Sequence, residues 1–375
     1  MTAACKWTRL PPIVGSLSRI TRRRRLLLAA GSALLIAVLA AAGAFWYRQR
    51  VDPGQGAPIL VVGIDGGEWR VIRHMWHDGE LPNLRRLADR GTSGTLRTAY
   101  NASPVIWTTI ATGVTPAEHG ITDFVVSSPH GDVPISSAVR RAPALWTMLT
   151  EAHRRVSVLG WWGSWPAEDV NGVVVTDRAL LENLGSRVSP ASYLPKLADD
   201  IAWARTRPYF NAAEEPELRD AVMAAAARRL VAAPKDLILL YFRSSDIVSH
   251  HHWKDFEAVE TGGKPHADSE VQRIYRGIDA ALGEVLAAAS GPLNVLVISD
   301  HGFRAARREE LRTVSDLDAL FVHLGYQKRD AQGVDLAHSQ LYSYGSPTYQ
   351  RRKIVRCCLA GREPGATLTA AQCDA

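Results

Sequence analysis

Four short stretches of this chain combine acids, imidazoles and one hydroxyl: GIDGG (63–67), ASPVIWTTIATG (102–113), SSDIVSHHHW (244–253) and ISDHGF (298–303). Three of them set an aspartate at or just past an apolar, strand-like run, and the fourth sets Ser103 at a helix start. Carboxylates and imidazoles gathered around one hydroxyl suit a metal-activated nucleophile attacking an ester of a strong acid. Asp246 and His250 are four apart, so on a helical turn both can reach one cation. Asp300 and His301 form a tighter pair just beyond a strand. For either pair alone, a turn aspartate beside a surface histidine is an equally good reading. His251 and His252 are expected to flank the site and face solvent. Mixed Asp/His ligation suits zinc better than manganese. Two such ions about 4 Å apart would deprotonate a nucleophile and stabilise both oxygens of an in-line displacement.

Ser103 precedes Pro104, and VIWTTIAT runs on in helix-compatible residues to Gly113. Serine at the N-cap with proline at N1 is a common helix start, and by itself Ser103 reads as a cap. Beside metal ligands it reads as a nucleophile, placed at the positive end of a helix next to free backbone N–H groups. His119, near that helix in sequence, is expected to be structural.

These residues need elements to carry them. ILVVGI (59–64), VSVLGW (156–161), GVVVT (172–176), DLILLYF (236–242) and NVLVIS (294–299) read as buried strands, apolar without alternation. LPNLRRLADRG (81–91), AVMAAAARRLVAA (221–233) and VQRIYRGIDAALGEVLAAA (271–289) have helical periodicity. Alternation of the two predicts an α/β class fold, an α/β/α sandwich around a mostly parallel central sheet. Asp65, Asp246 and Asp300 then follow strand ends, and ligands bind open α/β sheets at that edge. The weakly patterned stretch from about 178 to 220 reads as an inserted cap or loop region.

Composition is that of an ordinary globular chain: 375 residues, 46% hydrophobic, net charge +6. Seven basic residues (Lys6, Arg9, Arg19 and Arg22 to Arg25) precede residue 26, so the excess is local and no nucleic-acid partner is implied. Residues 26–47 are uncharged and, as a helix, would span roughly 33 Å, enough for a bilayer core. Phe45, Trp46 and Tyr47 close that run as an interfacial belt. A basic segment 1–25 in the cytoplasm, a transmembrane signal anchor 26–47, a linker 48–58 and an exported domain 59–375 follow from the positive-inside rule. The protein is thereby expected in the cytoplasmic membrane as a single-pass chain, with its domain on the outer side. The competing reading is a cleaved signal peptide, for which Ala42-Gly43-Ala44 is a suitable site. Cys357, Cys358 and Cys373 would leave one odd thiol, and no CxxC zinc framework exists.

Taken together and in order, GIDGG, LPNLRRLADRGTSGTL, SPVIWTTIATGVTPAEHGITDF, GWWGSWPAE, YFRSSDIVSHHHW, YRGIDAALGEVL, ISDHGF and GREPG resemble the alkaline phosphatase superfamily, in its type I phosphodiesterase/nucleotide pyrophosphatase-like branch. The resemblance runs from Ile59 to about Gly365. It implies a phospho-enzyme intermediate at Ser103, with Asp65, Asp300 and His301 holding one metal, which also activates the Ser103 hydroxyl. Asp246 and His250 would hold the other. The substrate it implies is a phosphate mono- or diester, and the cofactors are two divalent ions, zinc before others.

Two positions depart from the family. Nucleotide pyrophosphatase relatives carry an asparagine three residues after the nucleophile, where this chain has Ile106. The family also supplies a third, histidine ligand to one metal well after the SDHG motif, whereas no histidine follows His338 here. His338 is the only candidate to fill that place. The alternatives are a phosphotransferase of the superfamily and a non-catalytic, metal-binding member of the fold. A sulfatase is disfavoured, because SPVIW lacks the arginine of that enzyme's C/S-x-P-x-R motif.

Overall fold

Strongly apolar strands make the frame, and those at its centre are covered on both faces, as their unalternating sequences predict. NVLVIS at one edge, expected to be buried, leaves Leu296 exposed. The computed structural model describes residues 56–128, 131–233, 235–262, 269–306, 317–331, 333–345 and 353–374. The apolar run 26–47 and most of the linker lie outside the described residues. Among the described residues no helix is long and apolar enough to cross a membrane.

Six strands form the main sheet: β1 (Ile59–Ile64), β2 (Val156–Leu159), β3 (Gly172–Val175), β4 (Val188–Ser189), β5 (Leu237–Phe242) and β6 (Asn294–Ile298). Their order is β4-β3-β2-β5-β1-β6. All neighbours run parallel except β4, which pairs antiparallel to β3. The longer helices are α1 (Trp69–His77), α2 (Pro82–Arg90), α3 (Ser103–Thr112), α4 (Leu194–Ala204), α5 (Glu215–Val231), α6 (Ser244–Glu260) and α7 (Glu270–Ala287).

Side-chain alternation splits each strand between two cores. Leu60, Val62, Ile64, Ile238, Leu240 and Phe242 face a large cluster with α1, α2, α4, α5 and α7. Val61, Val158, Leu239 and Tyr241 face a second cluster with Trp107 and Ala111 of α3, Trp146 and Trp161. Helices therefore cover both faces, which is the expected sandwich.

The stretch from 178 to 220 is not a structureless insertion. It contains the edge strand β4, the helix α4 and the start of α5. In LPKLADDIAWA only Leu197, Asp200 and Ala204 are buried, a stripe too sparse to stand out by periodicity. A C-terminal region adds two small antiparallel pairs, Arg329–Asp330 with Gly333–Val334 and Leu341–Gly345 with Lys353–Cys357. Cys357 bonds Cys373, leaving Cys358 as a buried free thiol, in keeping with the odd count.

Candidate metal centre and nucleophile

Strands β5, β1 and the edge strand β6 are neighbours, and each runs out at the same end into a motif residue. The amide of Asp65 continues the ladder to the Phe242 carbonyl at 2.9 Å. Gly66 then turns the chain with φ +63°, and its N–H donates to Asp300 Oδ1 at 3.2 Å. A Cβ at Gly66 would stand 3.2 Å from the Asp246 side chain, so a residue free to adopt positive φ and lacking a side chain is needed. The Ser299 hydroxyl accepts from Gly67 N–H at 2.7 Å and donates to the His301 carbonyl at 2.7 Å. Glu68 accepts from the Phe303 amide at 2.8 Å. GIDGG and ISDHGF are thus stitched together by side chains that lie inside or next to both motifs.

Ser103 arrives on α3, which packs its Trp107 directly over Gly63 of β1. A Cβ at Gly63 would lie 2.8 Å from the Trp107 ring. Trp107 is fully buried, edge-on to Trp161 and Tyr241 at centroid distances of 5.0 and 5.1 Å. The cap differs from expectation by one residue: Ala102 is the N-cap, Ser103 the first helical residue and Pro104 the second. Val105 and Ile106 N–H groups both turn back to the Ala102 carbonyl at 3.0 Å, so the fan of free amides expected beside Ser103 is smaller. With that carbonyl closing the first turn, the Ser103 hydroxyl makes no helix-capping bond. It lies 3.1 Å from Asp65 Oδ1 and 3.1 Å from His301 Nε2 instead.

Asp246 and His250 stand on α6, whose first turn lacks a capping side chain of its own. Buried Asp220 of α5 supplies the cap from outside, accepting from Arg243 N–H at 2.9 Å, Ser244 N–H at 2.8 Å and Ser244 Oγ at 2.5 Å. Burial pushes the Asp220 pKa up to about 6 against the pull of Arg219 and these donors. One turn in, His250 Nε2 is 3.4 Å from Asp246 Oδ1, a contact that raises its pKa. The His250 ring also meets Phe303 edge-on at 4.9 Å.

The structure thus brings Asp65, Ser103, Asp246, His250, Asp300 and His301 to one place. Ligand atoms of Asp65, Asp246 and His301 all lie within 4.8 Å of one another. His301 Nε2 is also 3.4 Å from Asp300 Oδ2. Asp246, assigned by resemblance to the other ion, therefore shares a cluster with ligands of the first. Its helix begins directly beyond β5, next to β1, and that short path holds it over the Asp65 turn.

Asp65 and Asp300 resist ionising together. Burial first, then the Asp300 and Asp246 charges, push Asp65 well above the carboxylate range. Burial likewise raises Asp300, opposed by His301. Asp246 Oδ1 and Asp300 Oδ2 are buried, and beyond the 3.4 Å imidazole contacts neither has a hydrogen-bond partner among the described residues. Orphaned oxygens of this kind, mixed with imidazole nitrogen, fit a divalent cation.

His338 is not among the gathered residues. It is exposed, and its Nδ1 lies 2.7 Å from Asp335 within its own loop. An i,i+3 acid keeps that ring local, and the Asp246–His250 pair gains no third ligand from it. His251 and His252 are exposed as expected. His119 is fully buried; its Nδ1 accepts from Ile121 N–H at 3.1 Å, leaving Nε2–H for Thr109 Oγ1 at 3.0 Å. It bonds a hydroxyl and an amide rather than a helix-end carbonyl.

Several contributors were not singled out from the sequence, although Tyr241 and Trp162 lie inside the quoted stretches YFRSSDIVSHHHW and GWWGSWPAE. Tyr241 OH donates to Asp65 Oδ2, and Trp162 Nε1 approaches the same oxygen at 3.4 Å. Tyr241 reads as core and Trp162 as one aromatic among eleven tryptophans. Asp220 reads as a helix-surface acid. Only their adjacency to strand ends and motifs could have singled them out.

A family model described as type I phosphodiesterase / nucleotide pyrophosphatase matches residues 59–357. The chain belongs to this family. No curated protein matches it. Among solved structures it is similar to phosphonoacetate hydrolase from Sinorhizobium meliloti 1021 in complex with phosphonoformate, at 19% identity and a TM-score of 0.52. The same enzyme in complex with phosphonoacetate aligns at 21% identity and a TM-score of 0.50. These alignments cover 78% and 79% of this chain but only 65% and 66% of the enzyme's. At that identity the likeness is one of fold, and the family member described here spans about two thirds of those enzymes' length.

Proposed function

We propose that this family member is a membrane-anchored, metal-dependent phosphohydrolase that cleaves phosphate mono- or diesters through a phosphoserine at Ser103. One observation carries the reading: a buried serine hydroxyl that its helix does not use lies 3.1 Å from both a carboxylate and an imidazole of a ligand-rich cluster. Asp65, Asp300 and His301 would hold one divalent ion and Asp246 with His250 a second, zinc being the best fit. The ions would neutralise the crowded carboxylates and lower the pKa of the nucleophile.

The rest of the chemistry belongs to the chain. Gly63 and Trp107 fix α3 against β1, so Ser103 Oγ is presented at the sheet edge with the positive helix end behind it. The Ser103 hydroxyl gives up its proton to solvent, Oγ adds to phosphorus as the bond from phosphorus to the leaving oxygen breaks, and the departing alcohol takes up a proton from solvent. A water oxygen then adds to phosphorus, the bond to Oγ breaks, and the serine hydroxyl is restored. Ester and water give alcohol and phosphate in balance.

The anchor 26–47 and an extracytoplasmic domain form part of the proposal. The bond between Cys357 and Cys373 supports it, because such bonds persist in oxidising compartments. Membrane fractionation with protease protection tests it: the domain should sediment with membranes and be cleaved from outside.

The test of function compares wild type and Ser103→Ala on an aryl phosphate monoester and an aryl phosphodiester with zinc supplied. Wild type should turn over at least one, with the variant down by about a thousandfold or more. Equal inertness of the two proteins would end the enzymatic reading. A second reading, a non-catalytic member holding a single ion, draws on His338 lying outside the cluster. Metal analysis separates the two, with two ions per chain expected for the enzyme.

A further inference from the structure

Beside the nucleophile stands a cation with no assigned task. Arg243 is the residue between β5 and α6, and its amide is pinned by Asp220 at 2.9 Å. Its half-buried guanidinium lies over the ring of Trp162, 4.9 Å from the centroid. Trp162 is itself held by Phe124, edge-on at 5.6 Å. The edge of the same indole points Nε1 at Asp65 Oδ2, 3.4 Å away. Among the described residues no carboxylate comes within ion-pair distance of the Arg243 guanidinium, and no acceptor holds its N–H groups. Other half-buried arginines here are paired: Arg140 with Glu168 at 2.6 Å and Arg273 with Glu217 at 2.7 Å.

An unpaired guanidinium stacked on an aromatic face keeps its N–H fork open for a planar or tetrahedral anion. The indole lies between it and Asp65: the ring edge meets the carboxylate while the ring face carries the cation. The guanidinium is therefore one ring removed from Asp65, the carboxylate that the Ser103 hydroxyl bonds. Phe124 and Trp162 extend the same wall as apolar surface suited to a flat or carbon-rich portion of the ester.

We propose that Arg243, seated on Trp162, is a specificity-determining residue that receives a second anionic group, carboxylate or phosphate, on the ester portion of the substrate. The proposal deepens the phosphohydrolase reading and rests on it. Preferred substrates are accordingly phosphate esters whose alcohol part carries its own negative charge.

The test uses two symmetrical chromogenic diesters, bis(4-nitrophenyl) phosphate and bis(3-carboxy-4-nitrophenyl) phosphate, so that either half can occupy the wall. Wild type should favour the carboxylated ester in kcat/KM by about tenfold. Arg243→Gln should lose about tenfold on the carboxylated ester, chiefly in KM, and threefold or less on the neutral one. Arg243→Lys, which keeps the charge and loses the fork, should fall between them. Turnover of the neutral ester reports that each variant is folded. No preference in wild type, or equal losses on both esters in Arg243→Gln, would overturn the proposal while leaving the hydrolase reading intact. Wild type inert toward both diesters would overturn this inference, while the hydrolase reading would then be decided by turnover of the aryl phosphate monoester.

Discussion

Helices α3 and α6 deliver the serine and the aspartate–histidine pair to the same point, yet they are anchored in opposite ways. Helix α3 is tied at its far end, where buried His119 bonds Thr109 Oγ1, and Thr109 bonds the Val105 carbonyl at 2.8 Å. Its start carries no tether, so Ser103 is left to the site. Helix α6 is tied at its start by Asp220, two residues before the first ligand. One anchor is an imidazole kept neutral: burial, with Arg140 and Arg141 nearby, lowers its pKa from 6.5. The other is a carboxylate whose pKa burial raises to about 6. A nucleophile needs its own hydroxyl unencumbered, whereas a ligand helix benefits from a rigid first turn. The two anchors reflect that difference.

Removing the stronger anchor should show the contrast most clearly. Asp220→Ala leaves two amides and a hydroxyl buried without an acceptor, a loss of about 3 kcal/mol in a denaturant titration. Metal content should fall with it, because Asp246 rides on the freed turn. His119→Ala removes a weaker set, two hydrogen bonds and some packing, and should cost about 2 kcal/mol with metal content retained. If His119→Ala released metal and Asp220→Ala did not, the division of labour would be wrong.

Acidity should separate the anchors by sign. A carboxylate with a raised folded pKa binds its proton more tightly in the native state. The stability difference between wild type and Asp220→Asn should therefore decline as pH rises from 3.8 to about 6, then level off. An imidazole with a lowered folded pKa behaves in reverse. The difference between wild type and His119→Gln should be full above pH 6.5 and shrink as pH falls below it. Urea titrations between pH 4 and 7 read both, and slopes of the same sign would refute the pairing. The smallest effect belongs to His338→Ala, expected within about 0.5 kcal/mol and without change in metal content, since its partner is an exposed neighbour.

Much of this was legible in the order of residues. Long apolar strands resist solvation on either face, so ILVVGI and DLILLYF announced a covered parallel sheet, and the aspartates following the strands announced its working edge. NVLVIS, expected to be buried as well, is instead a partly exposed edge strand with Leu296 at the surface. The bounds of α7 came close as well, 271–289 against Glu270–Ala287, whereas α5 begins six residues before the expected 221. Helix α4 was hidden because three scattered buried residues leave no clear stripe. The one-residue shift of the α3 cap was hidden because serine is a far better cap than alanine, and only the bonds to the Ala102 carbonyl reveal the departure.

What the sequence settled by itself was which residue types could do chemistry and which strand ends could present them, because periodicity and chain direction are local properties. Only folding decided that Asp246 shares a cluster with Asp65 and His301, that His338 stays beside Asp335, and that Asp220, Tyr241 and Trp162 serve the site. Those outcomes depend on contacts between residues distant along the chain, and on burial that changes what a carboxylate or an imidazole costs to ionise. Neither is written in any single stretch.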